Sequence, residues 1–532
     1  MPSKSDFLSA IENISRWGDT DVFPFAPENH ILFDKSSEVA DMLVEVHKDF
    51  DKKIQEDPPV NLTDLQLVTY EGFRWVSQLD PIWNAYLLGA VFSIHEEIES
   101  ARISKAKDRV FSYRFKPDAN RKSLFESDSW TQFIAQAEQL ARTHSHVVVT
   151  DISDFYGRLY HHRIENSLLQ LGGIEQGLPK KINRLLMEYS GSVSYGLPVG
   201  GPAARALSEL ALNRVDQLLE MRGIVFVRFA DDYRLFADSQ ADAYRSLIEL
   251  TELLHRHEGL TLQKQKTRVL RTADFLRTPL FIPEDSKDLT DAERDERELL
   301  RLSLRYDPYS NDAELEYERL KGALQKFDII DMLTREVRKS RVNIPVVKRL
   351  TKSLGFLDAD IKEAAVGTIM DSMEMLAPAL PVVLRVLDDI GAQISDDGRA
   401  ALNRELRRRI DGGAFFMDLP INRAYAMRVL RHENDEQNYY LAAKMFDSSP
   451  PYLQRDIVIH MHNWGNADWI SEQRRQYANQ HPWVKRSLVL SSFGLKDEGS
   501  HWRKKLALNA FDSIARGWMS ERVGEGKMEL PV

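Results

Sequence analysis

Apolar side chains recur at three- and four-residue spacing through most of the first hundred positions, a pattern typical of helices. The clearest examples are residues 40–54 and 83–98. From about residue 102 the pattern changes, and residues 110–115 alternate between apolar and polar side chains as a strand would. The sequence therefore predicts a helical beginning followed by a short strand.

The next part of the chain mixes helix and strand patterns. Helices are predicted over residues 129–143, 159–170, 180–188, 203–221 and 241–257, and strands over 146–152 and within 224–237. A turn rich in glycine and proline, 196–202, precedes the longest of these helices. We expect an α+β domain whose small antiparallel sheet is backed by helices and carries acidic residues at one rim.

The second half of the chain lacks strand patterns. After an acidic stretch at 283–300, helix-sized blocks separated by short turns occupy 312–326, 344–354, 361–375, 381–390, 399–410, 422–432 and 437–446. No fixed sequence period links them, yet their regular succession predicts an all-α, HEAT-like helical-repeat domain. We expect one domain over 1–285, with N-terminal helices, a part at about 100–145 and a part at about 146–285, and the helical domain over 286–532.

Composition narrows the classes of function. The chain of 532 residues has no cysteine, which excludes disulfides, thiolate metal sites and a cysteine nucleophile. It has no run of about 18 apolar residues and no secretory signal in MPSKSDFLSA, so we expect a cytoplasmic protein without a membrane span. The net charge of −10 argues against a broadly basic surface for duplex DNA. Basic residues are instead concentrated in 102–122, where eight Lys or Arg accompany two Asp.

Three carboxylates suggest a reaction. Asp151 ends one predicted strand, while Asp231 and Asp232 lie at the turn between two others. Adjacent carboxylates repel each other unless a divalent cation lies between them, and Mg²⁺ favours such oxygen ligands together with substrate phosphates. Two such metals can activate a 3′-hydroxyl and stabilise departing pyrophosphate. An Asp-Asp pair alone is common in polar turns, so its interpretation depends on the order of the surrounding motifs.

Four motifs stand in a characteristic order. They are 150–156 (TDISDFY), 196–200 (GLPVG) before a helix, 229–232 (FADD), and 259–262 (GLTL) with Lys266 and Thr267 after it. As a set they resemble the first catalytic motif, the Pro-Gln-Gly motif, the Tyr-x-Asp-Asp box and the fourth palm motif of reverse transcriptases. The resemblance covers about residues 100–270 and implies a palm at about 146–285, with the fingers at about 100–145.

The resemblance also implies roles for individual residues. Asp151 and Asp231 would bind Mg²⁺ (or Mn²⁺), with Asp232 beside them as a third catalytic carboxylate and the backbone carbonyl of Ile152 completing the metal site. The implied nucleotide-binding residues are Arg114, Lys116, Phe155, Tyr156, Gly196, Pro198, Val199, Gly200 and Lys266.

Within that nucleotide site, Tyr156 would exclude a 2′-hydroxyl and so favour dNTPs. Arg114 and Lys116 would neutralise the triphosphate, and Lys266 could protonate the pyrophosphate. Each has a structural alternative: a core aromatic for Tyr156, an ion pair for Arg114, and a solvated side chain for Lys266. Arg228 and Arg234 flank the acids and could pair with them structurally.

Some details are similar to bacterial defence-associated reverse transcriptases. Val199 stands where templated enzymes have Gln, Phe229 replaces the usual Tyr, and residues 111–115 and 154–162 match that group. Its prophage-type abortive-infection polymerases append a long helical domain, as this chain does. They are described as homo-oligomers that arrest phage growth and extend a protein hydroxyl with dNTPs without a template, leaving single-stranded DNA covalently attached. The priming residue cannot be chosen among 17 tyrosines.

Other interpretations stay open at this stage. The chain could be an RNA-templated reverse transcriptase of the retron or diversity-generating type, or a non-catalytic helical-repeat interaction protein. Arg455 and His460 faintly resemble the pair of a helical nuclease, although an ordinary surface pair is the more common explanation. Residues 407–409, three arginines, could contact DNA phosphates or simply end a solvated helix.

Overall fold

The computed structural model describes residues 1–18, 20, 22–117, 123–191, 193–278, 290–302, 304 and 313–532. The predicted domain boundary at 285/286 lies outside the described residues, as do Arg121 and Lys122 of the basic segment. The chain forms two compact units: Met1–Leu62, Ser77–Pro283 and Leu508–Trp518 make the first, and Thr63–Val76, Glu284–Ala507 and Met519–Val532 make the second.

The first unit is mainly helical around one sheet. Its helices are α1 Lys4–Trp17, α2 Glu28–Asp34, α3 Ser36–Lys48, α4 Phe50–Glu56, α5 Pro81–Phe92, α6 His95–Ala101, α7 Ser129–Thr143, α8 Phe155–Arg158, α9 His161–Leu169, α10 Leu178–Ser190, α11 Pro202–Met221, α12 Gln240–Leu253 and α13 Thr272–Leu276. Local chemistry explains where several begin. Ser3 and Asp6 form a reciprocal capping box on α1, and Pro202 opens α11, where a missing N–H costs nothing.

A β-hairpin interrupts the helical beginning. Strands β1 Asn61–Thr69 and β2 Gly72–Leu79 form a two-stranded sheet that the helical pattern did not predict. Its middle belongs to the second unit, where the Tyr70 hydroxyl donates to the Met375 carbonyl (2.7 Å) and Tyr452 donates to Asp64 (2.6 Å). These contacts join residues far apart in sequence, so a local pattern could not reveal them.

The first and third predicted motifs border a four-stranded sheet. Its strands are β3 His146–Asp151, β4 Val225–Phe229, β5 Asp232–Ala237 and β6 Arg268–Arg271, in the order β4-β5-β3-β6, and every neighbouring pair is antiparallel. Helix α7 buries Phe133, Ala137 and Ala141 in the core under this sheet, together with Val147 and Val227. The small antiparallel sheet backed by helices is confirmed, and α7 has the predicted bounds.

The predicted strand at 110–115 is wrong. Only single bridges form there, from Val110 to Arg228 and from Phe115 to Phe125. Tyr113 between them has φ +47°, which is incompatible with an extended strand. Val110, Phe111, Ser112 and Arg114 are all buried, so the alternation of apolar and polar side chains does not correspond to one buried and one exposed strand face.

The predicted helix at 241–257 changes its winding near its end. Helix α12 continues into one π turn, Leu254–Glu258, and Gly259 then takes the left-handed conformation at φ +69°. A π turn contains one more residue than the regular helix and is frequent at functional sites. It delivers the segment 259–263 towards the end of β3.

The second unit is helical apart from the hairpin. Its helices are α14 Asp291–Arg301, α15 Ala313–Leu324, α16 Ile329–Val337, α17 Ile344–Ser353, α18 Ala359–Ser372, α19 Leu380–Ile390, α20 Asp396–Asp411, α21 Pro420–Leu430, α22 Glu436–Phe446, α23 Pro451–Asn463, α24 Ala467–Arg475, α25 Pro482–Ser491 and α26 Lys496–Arg503; α27 Ala510–Gly524 runs from the first unit into the second. Helices α17, α19, α21, α23 and α25 pack each on the next. The large helical region is confirmed, and the HEAT-like repeat stays a prediction. Within the described residues, no helix is both long and apolar enough to cross a membrane.

Candidate active site at the sheet rim

The three predicted catalytic carboxylates meet at one end of the sheet. The antiparallel register of β3 and β5 sets Asp151 opposite Asp232. Asp231 lies in the two-residue turn between β4 and β5, and its carbonyl accepts the N–H of Ile152 at 3.1 Å. Backbone pairing, not side-chain contact, thus brings together residues 80 positions apart in sequence.

Backbone hydrogen bonds hold the fourth motif, residues 259–262, at the end of β3. The N–H of Ser153 donates to the Thr261 carbonyl and the N–H of Gln263 donates to the Asp151 carbonyl, both at 2.8 Å. From this segment Lys266 reaches back, and its ammonium lies 2.5 Å from Asp151 Oδ2. The lysine side chain is 65% exposed, and its ion pair with Asp151 is a contact from which it can swing out.

The carboxylates oppose one another electrostatically. Burial, and next the charge of Asp151, raise the pKa of Asp231 to about 7. Burial and Asp151 also raise the pKa of Asp232, although Arg234, 3.3 Å away, acts in the opposite direction. Burial alone would lower the pKa of Lys266, but the three carboxylates outweigh it and raise that pKa. The site therefore attracts positive charge.

A divalent cation fits this arrangement. Across the described ranges, no group of three or more His, Asp or Glu side chains is arranged to hold a metal. Mg²⁺ does not need one, because it commonly takes one or two carboxylates and completes its shell with water and substrate phosphates. Asp151 and Asp231 would be those ligands, and their mutual repulsion is what a cation would relieve. The role of the Ile152 carbonyl stays a prediction.

A buried network of charges holds the turn that carries Asp231. The guanidinium of Arg228, which is fully buried, binds Asp216 (2.5 Å) and Glu209 (2.9 Å), both on α11. It also donates to the carbonyl of Ala230 at 2.9 Å. Ala230 has φ +52°, a conformation that glycine usually supplies at this position of a tight hairpin. The network thus stabilises a strained turn.

The same network reaches the segment before α7. Glu209 also accepts from Arg102 and from the Ser112 hydroxyl, each at 2.6 Å. Burial would raise the pKa of Glu209, but Arg228 and Arg102 outweigh it and lower that pKa. Sequence reasoning missed Glu209, Asp216 and Arg102. A usable signal existed, since the two acids are seven residues apart on an otherwise apolar face of α11.

The nucleotide motifs are also brought together. The N–H of Leu197 donates to the Tyr156 carbonyl (2.9 Å), and the N–H of Gly196 donates to the Leu159 carbonyl (2.8 Å). Gly196 and Gly200 both have φ +102°, which requires glycine. Phe155 and Pro198 are buried, whereas Val199 and Tyr156 are partly exposed.

Arg114 requires a correction. The structure places it 3% exposed, with its three nitrogens donating to Glu99 (2.6 Å), the Ile103 carbonyl (2.7 Å) and the Val110 carbonyl (3.0 Å). A phosphate would have to displace all of these partners, so Arg114 is a structural ion pair and not a triphosphate ligand. Lys116, by contrast, is exposed.

Two further predictions concern arginines of the helical unit. Arg455 and His460 are buried, and Arg455 is paired with Asp456, so a nuclease site at this pair is wrong. Among the three arginines at 407–409, Arg407 binds Asp435 (2.9 Å), and Arg408 and Arg409 share Glu405; their contact with DNA stays a prediction.

Comparison with known proteins identifies the domain. Residues 94–281 match the family model described as "Reverse transcriptase (RNA-dependent DNA polymerase)". The chain therefore contains a reverse-transcriptase domain, a class of nucleotidyltransferase. No curated protein matches the chain.

Several solved structures are similar at a low level. They are telomerase from Candida albicans with a TWJ fragment of telomeric RNA (9% identity, 72% of this chain, 70% of that chain, TM-score 0.30), apo telomerase from Candida tropicalis (10%, 77%, 71%, 0.31) and telomerase from Candida tropicalis with a TWJ fragment of telomeric RNA (11%, 74%, 65%, 0.26).

The repulsion at the rim predicts a measurable metal effect. Because the pKa of Asp231 is raised to about 7, the metal-free protein loses stability as pH rises from about 4 through 7. We expect Asp231→Asn to be more stable than the wild type in EDTA at pH 8, by roughly 1–3 kcal/mol. Mg²⁺ or Mn²⁺ should raise the melting temperature of the wild type and much less that of the variant. Differential scanning fluorimetry at pH 5 to 8.5 measures both, with exposed Asp238→Asn as the control. Equal cation stabilisation of all three proteins would contradict a metal site here.

The buried network predicts a large cost for one lost charge. In Glu209→Gln, Arg228 and Arg102 lose their shared anion, and the unit should lose about 3 kcal/mol. Because Arg228 of the network belongs to β4, hydrogen exchange of β4 and β5 is the direct measurement, with amide protection expected to fall about a hundredfold. The matched control on the same helix is Glu220→Gln, whose partly exposed pairs with Arg109 and Lys107 are worth less than about 1 kcal/mol. Equal amide protection in Glu209→Gln and Glu220→Gln would show that the network does not stabilise β4 and β5.

Proposed function

We propose that this protein is a phage-defence DNA polymerase of the reverse-transcriptase class that adds dNTPs to a protein hydroxyl without a template. The observation that carries the polymerase part is the register of β3 and β5, which sets Asp151 and the Asp231-Asp232 turn side by side. The match of residues 94–281 to the reverse-transcriptase family supports the interpretation of these carboxylates as a nucleotidyl-transfer site.

The residues of the rim have distinct tasks in this proposal. Asp151 and Asp231 hold the cations, which when bound promote deprotonation of the attacking hydroxyl and stabilise the leaving pyrophosphate. Asp232 is tied to Arg234 and sets the charge of the site. Lys266, already at Asp151, is near enough to the reaction to turn its ammonium to the pyrophosphate as that group departs.

The nucleotide would lie between the first and second motifs. Tyr156 supports the sugar, and the 196–200 loop lets its backbone approach the substrate because Gly196 and Gly200 have no side chain. With Arg114 committed to Glu99, the exposed Lys116 is the remaining predicted cation for the triphosphate.

The defence role and the template-free mode rest on the sequence resemblance. Val199 occupies the position of the glutamine of templated enzymes, and a helical unit follows the polymerase domain as in abortive-infection polymerases. Homo-oligomerisation and a covalently attached single-stranded DNA product belong to the same proposal.

A second candidate is an RNA-templated reverse transcriptase. It is favoured by the family model, whose description is an RNA-dependent DNA polymerase. A non-catalytic interaction protein is disfavoured, because all three carboxylates are present and assembled.

One labelling reaction separates these functions. Purified full-length protein is incubated with labelled dNTPs and Mg²⁺, either alone or with an RNA template and annealed DNA primer. Label that stays on the protein after denaturation, without template, is the expected result. Incorporation only on the primed template would replace the proposal by the second candidate, and no incorporation in either reaction would contradict a polymerase.

The carboxylates provide the matched variants. Asp231→Asn should reduce incorporation at least a hundredfold, because a carboxylate that would hold the cations is lost, whereas Asp238→Asn should not. In bacteria challenged with phage, replacing Asp231 and Asp232 by Ala should abolish protection at equal protein level. Unchanged protection would favour the interaction protein.

A further inference from the structure

Trp130 is an exposed aromatic residue near the turn that carries Asp231. It lies in the first turn of α7 and is 43% exposed. Among the residues that the structure describes, its indole N–H has no hydrogen-bond partner. A single exposed apolar side chain is ordinary on a protein surface, so a role for Trp130 has to follow from its neighbours.

Two phenylalanines hold the Trp130 ring. Its centroid lies 5.0 Å from that of Phe229, with the two rings perpendicular, and 5.2 Å from that of Phe133. Phe133 is fully buried, and its own ring lies 5.9 Å from that of Phe229. Edge-to-face and tilted contacts at these distances are favourable, so the exposed indole has a fixed place on a buried aromatic base.

This aromatic cluster adjoins the carboxylates. Phe229 is the last residue of β4 and pairs with Asp232, and Asp231 follows Phe229 by two positions. Two residues of chain span at most about 7 Å, so the indole lies within roughly 15 Å of the Asp231 backbone. About four stacked bases of one DNA strand, at about 3.4 Å each, span that length.

The order of the strands indicates which part of the reaction this side of the sheet serves. The order is β4-β5-β3-β6, so β4 and β6 are the two edges. Lys266, just before β6, reaches Asp151 from that edge, and in the proposed function it meets the departing pyrophosphate. Attacking and leaving oxygens lie roughly in line on opposite sides of the phosphorus. The attacking 3′-hydroxyl would then approach from the β4 edge, where Trp130 lies.

We propose that Trp130 is a stacking residue for the bases at the 3′ end of the growing DNA strand. This inference rests on the proposed function, which supplies both the strand and the direction of attack. Without a template, the end of the product cannot be held by base pairing. Stacking on an aromatic ring can replace pairing for any sequence, because every base has a π-face.

Binding of oligonucleotides to the full-length protein tests this without catalysis. The two probes are a fluorescein-labelled oligo(dT) and the same strand with abasic sites in place of its last four bases, measured by fluorescence anisotropy in Ca²⁺. We expect Trp130→Ala to weaken binding of the complete strand at least fivefold and binding of the abasic strand less than twofold, since stacking is lost only where a base is present. Trp130→Phe keeps a flat ring and should retain most of the affinity.

Two control variants match the substitution. Trp75→Ala removes another exposed tryptophan, 67% exposed on β2, and Thr131→Ala changes an exposed neighbour in the same turn of α7. Both should leave the two affinities unchanged. If Trp130→Ala weakens both probes equally, the residue acts through the fold of the Asp231 turn. If it weakens neither, the strand does not reach the ring. Either result overturns the inference.

Failure of the proposed function gives a different pattern. A wild type that binds the complete strand through Trp130 but incorporates no dNTP contradicts the polymerase and leaves a stacking site for single-stranded DNA. A wild type that labels itself with dNTP, while Trp130→Ala binds both probes as the wild type does, contradicts the inference alone.

Discussion

The contact of Arg228 with Glu209 and Asp216 is the constraint on which the sheet rim with its three carboxylates depends. A buried guanidinium must be paired, and here its two anions both come from α11 while it sits one residue before the end of β4. The pairing sets the rotation of α11 relative to the sheet. Its remaining donor holds the Ala230 carbonyl, so the strained turn and the carboxylate that follows are presented in one orientation. The orientation of Asp231 therefore depends on how α11 packs against the sheet.

At the rim itself the protein brings like charges together. The energetic cost appears as the raised pKa of Asp231, and the only compensating cation among the described neighbours of Asp151 is an ammonium that is largely exposed. Such an arrangement is poor for stability and suitable for binding a more highly charged ion. Stability and the binding of a positively charged ligand would thus oppose each other at this site, as they commonly do where charge must be neutralised by a ligand.

Sequence patterns predicted the local features well. The run of β-branched residues before Asp151 forms β3. Phe133, Ala137 and Ala141, which are spaced four residues apart, are buried on one face of α7. Motif order was informative because antiparallel pairing of β3 and β5 converts it directly into proximity. The assignments that failed depend on distant partners. The sequence shows the charge of Arg114 but does not show its ion pair with Glu99, and for that reason Arg114 was predicted to bind phosphate.

The buried network shows the same limit. Glu209 and Asp216 are ordinary acids in a helical sequence until Arg228 and Arg102 are placed against them. The hairpin at β1 and β2 was hidden for a related reason, since its side chains contact residues some 300 or more positions later. No spacing rule within a short window carries that information.

The single π turn after α12 has a consequence for how this domain tolerates change. The π turn contains one residue more than a turn of regular helix. It therefore determines which side chains of 259–263 face β3. Deleting one residue from Leu254–Glu258 would restore ordinary winding and rotate all that follows by about 100°. The bonds from Thr261 and Gln263 to the end of β3 would then be out of register. The length of this short segment is under tighter constraint than its composition.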